Sequence, residues 1–175
     1  NVFDHVLHLE SMRPRRSRPS SAACSSSRLA LSSGSSASAG TSMGGARPKA
    51  VVEDRSGLWV AKFNKPQDKW NNARVEHAML TLARLCGIVA AESKVVVVGD
   101  RDVLLVKRFD REKAKGGYTR SRMVSAMTLL HTDDSPLSRG RWSYLLLVEE
   151  IRRACEEPRR NAHELFRRIV FNSLI

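Results

Sequence analysis

The sequence predicts an α+β fold with two lobes, on the basis of two observations. Short β-prone runs joined by turn residues dominate the first ordered part, up to about residue 106. Segments with helical periodicity dominate residues 123–175. A strand-rich half followed by a helical half is typical of α+β architectures. The hydrophobic content of 42% is sufficient for a core in a chain of 175 residues.

Residues 1–41 are expected to lie outside this fold. Serine supplies 13 of the 32 residues from Ser11 to Ser42, and so polar a segment cannot bury enough apolar area to offset its ordering entropy. We predict a low-complexity, disordered or aberrant N-terminal segment. The alternative is a basic arm for nucleic acid, which the net charge of +12 would favour. Its arginines would be Arg13, Arg15, Arg16, Arg18 and Arg28.

Two apolar runs on either side of a turn at residues 53–57 predict a first hairpin. Side chains alternate along a strand, so Leu58, Val60 and Lys62 share one face. A lysine on an otherwise apolar face requires a partner or a ligand. Lys62 is therefore a candidate functional residue, with an edge-strand lysine that reaches solvent as the alternative.

A helix is predicted next, capped by Asn71 or Asn72 and ended after Cys86 by Gly87. Glu76 lies one residue off its apolar stripe, which places it near the border between helix and sheet. We expect Cys86 to be a small buried residue. The stripe predicted to be buried consists of Val75, Ala78, Met79, Leu82 and Cys86.

Downstream, a second hairpin is predicted from runs at residues 94–98 and 103–106, followed by a basic loop at 112–122. Helices are expected at residues 123–130, 143–155 and 162–175, the last opened by a capping box of Asn161 and Glu164. Their stripes are Tyr144, Leu147, Val148 and Ile151, then Leu165, Phe166, Ile169, Val170 and Leu174. We predict a strand-rich nucleotide-binding lobe at 42–109 and a partial helical lobe at 110–175.

Cysteine and histidine usage limits the function classes. The three cysteines and five histidines show no metal-ligand spacing and no disulfide framework, so no metal site is predicted. This usage fits a reducing, cytoplasmic location. No run approaches the length of a membrane span, and no membrane partner is expected.

The order of parts in residues 42–76 is that of a kinase-type phosphoryl-transfer site. A glycine-containing loop, a strand lysine (Lys62) and a helix glutamate (Glu76) follow one another. Backbone amides and a lysine suit phosphate oxygens because fixed donors best meet spread negative charge. A glutamate one helix away can pair with the lysine and hold it in place.

These motifs resemble the HipA family of bacterial serine/threonine kinases, the toxin half of a toxin–antitoxin pair, from Ser42 to Ile175. Residues 42–49 resemble the family's phosphate loop, residues 60–63 its ATP-lysine strand and residues 106–111 its hinge between lobes. The helix bearing Glu76 resembles that of the pairing glutamate, and residues 165–175 the helix that leads into the catalytic loop. The resemblance implies a protein-kinase-like, HipA-type two-lobed fold with an incomplete C-terminal helical lobe.

The resemblance also implies roles for individual residues. Those lining the triphosphate would be Gly44, Gly45, Ala46, Arg47 and Lys49. Lys62 would contact phosphate and pair with Glu76. Lys107, Arg108 and Phe109 would frame the adenine, and Ser42 occupies the position of a serine that the family can autophosphorylate. The catalytic aspartate is expected after Ile175, so no catalytic residue is assigned.

The implied cofactors are ATP and Mg²⁺, with the metal ligands expected outside this chain. The implied partners are a protein substrate phosphorylated on serine, an aminoacyl-tRNA synthetase being the suggested class, and a HipB-like helix-turn-helix antitoxin with DNA bound through it. Two other functions stay open: a catalytically dead nucleotide- or antitoxin-binding remnant, and a basic nucleic-acid-binding module. Two local alternatives also stay open. Gly44-Gly45 could form a plain turn, and residues 108–111 a surface ion-pair cluster around a buried ring.

Overall fold

The computed structural model describes residues 47–121, 123–133 and 135–175. The segment 1–41 and the loop residues Ser42, Gly44, Gly45 and Ala46 lie outside these ranges, and so do the predictions made for them. Within the described ranges, strands dominate the first part and helices the second. The α+β prediction is confirmed.

Four antiparallel strands form the main sheet in the order β1-β2-β4-β3. The strands are β1 (Lys49–Asp54), β2 (Gly57–Phe63), β3 (Ser93–Val98) and β4 (Arg101–Lys107). Both predicted hairpins are therefore confirmed. In the second, Gly99 adopts a φ of +63°, a conformation that glycine reaches without steric cost. Pairing of β2 with β4 joins the two hairpins, with Trp59 opposite Lys107 and Phe63 opposite Val103.

Helix α1 (Asn72–Leu85) connects the hairpins and packs on β3 and β4. The Asn71 side chain accepts a hydrogen bond from the Arg74 amide as the N-cap, and Gly87 follows the helix with a φ of +74°. The predicted buried stripe is wrong, because Val75, Leu82 and Cys86 are exposed. The buried residues are instead Ala73, Leu80 and Ala83.

The stretch predicted as a basic loop after the main sheet is a second, two-stranded sheet. It consists of β5 (Arg111–Ala114) and β6 (Gly117–Arg120). Lys115 and Gly116 form its turn, with a φ of +90° at Gly116, and Gly117 begins β6 with a φ of +155°. The loop prediction failed because these short strands are charged and exposed, and so lack the apolar alternation that marks a strand.

The helical part comprises α2 (Ala126–Leu129), a 3₁₀ turn (Ser138–Arg141), α3 (Tyr144–Ala154) and α4 (Pro158–Leu174). The capping-box prediction for α4 is wrong: the helix begins at Pro158, and Asn161 lies buried inside it. Its stripe is partly wrong, since Phe166, Val170 and Leu174 are exposed. In α3, Tyr144 is exposed although the stripe placed it inside.

Two apolar clusters stabilise the helical part of the chain, and one of them connects it to the strand-rich part. The first cluster contains Leu147, Ile151, Cys155 and Leu165. The second contains Ala83, Ile88 and Phe171, and therefore joins α4 to the end of α1. No helix in the described part of the chain is long and apolar enough to cross a bilayer.

Candidate functional site

Lys62 and Glu76 form an ion pair between β2 and α1. Lys62 Nζ lies 2.5 Å from Glu76 Oε1, and the two side chains are 12% and 27% exposed. Glu76 lies near the buried residues Leu80 and Ala83 at helical spacing, which explains why it faces the sheet. This pair holds the ammonium group of Lys62 at the edge between helix and sheet.

Two further polar contacts fix α1 on the sheet. At its N-terminal end, the carboxylate of Asp102 on β4 accepts hydrogen bonds from Arg74 Nε at 2.6 Å and Asn71 Nδ2 at 2.5 Å. These contacts, with Arg74 the larger influence, lower the pKa of Asp102. His77 lies beside Glu76 and makes a 3.0 Å hydrogen bond with Ser93 on β3. The position of Glu76 relative to Lys62 is thereby determined from both sides.

Arg47, at the end of the predicted phosphate loop, is held by Asp68. Its Nη1 and Nη2 atoms donate to the two carboxylate oxygens at 2.5 and 2.9 Å, a bidentate arrangement. The backbone amide of Lys65 donates to the same carboxylate at 2.8 Å. The Arg47 guanidinium, the largest influence, and this amide lower the pKa of Asp68 to about 2. Asp68 thus joins the start of β1 to the connection between β2 and α1.

Lys49 lies directly opposite Lys62 in the register of β1 and β2. Residues opposite one another in an antiparallel pair place their side chains on the same face. The structure therefore brings Lys49 and Lys62 to one face of the sheet, and Arg47 lies two residues before Lys49 in the chain. Neighbouring ammonium groups suit an anionic ligand.

Lys107 lies on the opposite face of the sheet from Lys62, at the end of β4. Its Nζ atom is 3.0 Å from Glu92 Oε2 and 5.8 Å from the ring centroid of Trp59. Lys94 also stacks on Trp59, at 4.3 Å from the centroid, so the buried indole is flanked by two ammonium groups. The geometry gives the side chain of Lys107 local partners on this face.

Arg108, Asp110 and Arg111 form a partly buried ion-pair cluster in the segment predicted to be the hinge. Arg108 donates to both oxygens of Asp110 at 2.8 and 2.7 Å, and Arg111 Nη1 lies 2.5 Å from the same carboxylate. Arg108, the largest influence, lowers the pKa of Asp110. Phe109, which lies between Arg108 and Asp110 in the sequence, is half-buried. The ion pairs of the alternative left open for residues 108–111 are present, although they are partly buried rather than at the surface.

The backbone of the hinge is also engaged. The amide of Lys107 donates to the carbonyl of Glu92, and that of Arg108 donates to the carbonyl of Leu58, both at 2.8 Å. An adenine at this edge would therefore have to use other hinge groups than these two amides.

Three residues that organise the site were not predicted from the sequence: Asp68, Asp102 and Trp59. Asp68 lies in a loop and Asp102 at the start of β4 beside the hairpin turn, where an acidic residue is ordinarily solvated, and their partners are distant in sequence. Trp59 carried a usable signal, because it alternates with Leu58, Val60 and Lys62 on the other face of β2. Among residues 47–121, 123–133 and 135–175, no three His, Cys, Asp or Glu side chains cluster as metal ligands.

Comparison with protein-family models matched residues 41–175 to the HipA-like C-terminal domain. Among solved structures, the chain is similar to the HipA toxin–antitoxin complex of Shewanella oneidensis MR-1, which contains HipA, HipB and its operator DNA. The TM-score is 0.59 at 20% sequence identity, over 75% of this chain and 36% of that one. This chain thus spans well under half of the length of that protein. No curated protein sequence matched.

Proposed function

Because the chain belongs to the HipA family through its C-terminal domain and shares that family's kinase-like α+β fold, we propose that it is the nucleotide-binding part of a HipA-type serine/threonine kinase. The whole protein would transfer the γ-phosphate of ATP to a serine of a protein substrate. The single observation that carries the proposal is the Lys62–Glu76 ion pair between β2 and α1. In kinases such a pair must be in place for phosphoryl transfer.

The residues present fit the phosphate groups of a nucleotide. Lys49 and Lys62 are direct cross-strand partners, so two ammonium groups belong to neighbouring positions on one face of the sheet. Arg47 precedes the same strand, and Asp68 holds its guanidinium in place. When bound, ATP would supply the phosphoryl group. Lys62, held by Glu76, would hold and orient its phosphates.

The fit to magnesium is different. The described residues include no group of three His, Cys, Asp or Glu side chains that could hold a metal ion. The described residues nevertheless offer a binding function that needs no catalytic base. A nucleotide-binding role without turnover is therefore the second candidate for these 175 residues, and the Lys62–Glu76 geometry supports it equally.

The partners of the whole protein are proposed by analogy. The similar structure from Shewanella oneidensis is a complex of HipA with HipB and operator DNA. We extend this to a HipB-like antitoxin as partner of the present protein, with DNA bound through it. Co-purification of the full-length protein with a candidate HipB-like antitoxin tests this extension, and absence of a complex would contradict it.

Calorimetric titration of the chain with ATP tests nucleotide binding. Lys62→Met is expected to weaken affinity roughly 10- to 100-fold, the loss of one charge-assisted hydrogen bond. Glu76→Gln should weaken it less, because the lysine remains but is less well held. Lys113→Met, at an exposed position on β5, is the matched control and should bind like the unsubstituted chain. Equal affinities of Lys62→Met and Lys113→Met would remove Lys62 from the site.

A further inference from the structure

One face of α4 contacts the end of α1 and the segment that follows it. Phe171 packs against Ala83 and Ile88, and Arg167 Nη1 approaches the carbonyl of Gly87 at 3.5 Å. The residues of this face have i, i+3, i+4, i+7 spacing, which places them on one side of a helix. They are Glu164, Arg167, Arg168 and Phe171. This face therefore connects the helical part of the chain to the helix that carries Glu76.

At its centre, Glu164 and Arg168 hold both backbone groups of Val89. Glu164 Oε1 accepts the amide hydrogen of Val89 at 2.9 Å and also a hydrogen bond from Arg168 Nε at 3.1 Å. Arg168 Nη2 donates to the carbonyl oxygen of Val89. Arg168 is 2% exposed and the Glu164 side chain 15%. One ion pair thus satisfies the donor and the acceptor of a single loop residue.

The burial of this pair indicates what it contributes. A buried charge requires a partner, and a buried ion pair adds little net stability compared with apolar residues of similar volume. Because hydrogen bonds are directional, such a pair instead determines the position at which the two segments pack. Val89 with its amide on Glu164 and its carbonyl on Arg168 fits in one orientation and in one place along α4.

We propose that Glu164 and Arg168 form a clamp that docks α4 on Val89 and thereby positions Glu76 against Lys62. Val89 follows the end of α1 at Leu85 by a few residues, so fixing Val89 restrains the helix that bears Glu76. Both are positioning residues. Their effect on nucleotide binding rests on the proposed function, whereas the docking itself does not.

A charge swap distinguishes a clamp from an ion pair that is merely internal to the helix. The double variant Glu164→Arg with Arg168→Glu keeps an i,i+4 pair on α4. It also places a donor against the Val89 amide and an acceptor against its carbonyl, so the contacts to the backbone are lost. The control is Glu149→Arg with Arg152→Glu, which swaps an exposed pair on α3.

Amide hydrogen exchange, measured by NMR on the full chain, gives the docking readout. Loss of the charge-assisted hydrogen bonds to the backbone of Val89 is expected to speed exchange of its amide about 100-fold, while the central strand β4 changes less than about threefold. The control swap should leave both unchanged. If the Val89 amide of the swap variant exchanges at the rate of the unsubstituted chain, the clamp is overturned. Equal acceleration of the β4 amides would also overturn it, because it would indicate global unfolding.

A milder variant keeps the test decisive if the swap does not fold. Glu164→Ala, a single substitution, removes the oxygen that accepts the Val89 amide, and at least about tenfold faster exchange is expected. No acceleration in this variant would equally overturn the clamp. Calorimetry with ATP gives the second readout: affinity should fall several-fold in the swap variant. If the Val89 amide exchanges faster but the ATP affinity is unchanged, the positioning role is overturned. If the unsubstituted chain does not bind ATP, the proposed function is refuted. In that case the hydrogen-exchange result still decides whether the clamp docks α4 on Val89.

Discussion

Replacing Leu165 or Leu174 by alanine tests which face of α4 forms the core. Both leucines lie on the apolar stripe predicted from sequence, and both belong to the same helix. In the structure Leu165 is 0% exposed inside the helical cluster, whereas Leu174 is 82% exposed. The two substitutions remove the same atoms from the same type of backbone, so Leu174→Ala is a matched control.

The expected magnitudes follow from burial. A fully buried leucine replaced by alanine loses its transfer free energy and leaves a cavity, at a cost of about 3 kcal/mol. For Leu174, with roughly a fifth of its side chain buried, the same scale gives about 0.5 kcal/mol. Because domains are stable by only about 5–15 kcal/mol, Leu165→Ala should remove a large fraction of the free energy of unfolding.

Urea unfolding followed by far-UV circular dichroism measures the difference. The midpoint of Leu165→Ala is expected about 1–2 M below that of Leu174→Ala, with the dependence on urea unchanged. Equal losses in the two variants would refute the assignment of buried and exposed faces on α4. They would instead support the stripe predicted from sequence.

Two further predictions concern titratable groups. Arg108 lowers the pKa of Asp110, so this carboxylate contributes stability above its unfolded pKa of about 3.9 and loses it as pH falls toward the lower folded value. Asp110→Asn should therefore be less stable at neutral pH and show a flatter decline in urea titrations below about pH 5; an unchanged slope would argue against the ion pair. Burial raises the pKa of the Cys155 thiol, whereas Cys86 is exposed. Alkylation at mildly alkaline pH with peptide mapping should modify Cys86 before Cys155, and equal rates at these two residues would contradict this.

Local chemistry made the hairpins and the main caps predictable. The turns at residues 53–57 and around Gly99 combine glycine with aspartate, and such residues determine chain reversal without help from distant contacts. Asn71 as N-cap and Gly87 after the helix have the same local basis. At α4, however, Pro158 was the better start signal, because proline suits the first helical position.

Which face of each helix is buried could not be predicted from local sequence in the same way. In α1 apolar residues surround the helix, and periodicity alone favoured Val75 and Leu82 over the buried Leu80. The alanines on the observed face, Ala73 and Ala83, allow close approach to neighbouring elements, a preference that only tertiary packing reveals. In α4 the buried face contains Arg168, which no apolar stripe can indicate.

The candidate site was predictable to the extent that it follows local patterns. Lys62 stood out because it interrupts an apolar face, and the structure brings it to Glu76. The nucleotide-binding roles of both residues, and of those in the phosphate loop and hinge, stay predictions. Asp68 could not be recognised as the partner of Arg47, because nothing local distinguishes it from a solvated loop carboxylate.

The sheet order β1-β2-β4-β3 has a kinetic consequence. Each outer pair of strands is a hairpin that can close within microseconds, whereas β2 and β4 meet only across the intervening helix, at a larger loop-closure entropy. Lys62 belongs to the first hairpin, and Asp102, which holds the start of the helix bearing Glu76, belongs to the second. The proposed nucleotide site therefore requires both hairpins and would not exist in a partly folded chain. A ligand bound there would hold the hairpins together by mass action, so that completing the sheet and creating the site are one event.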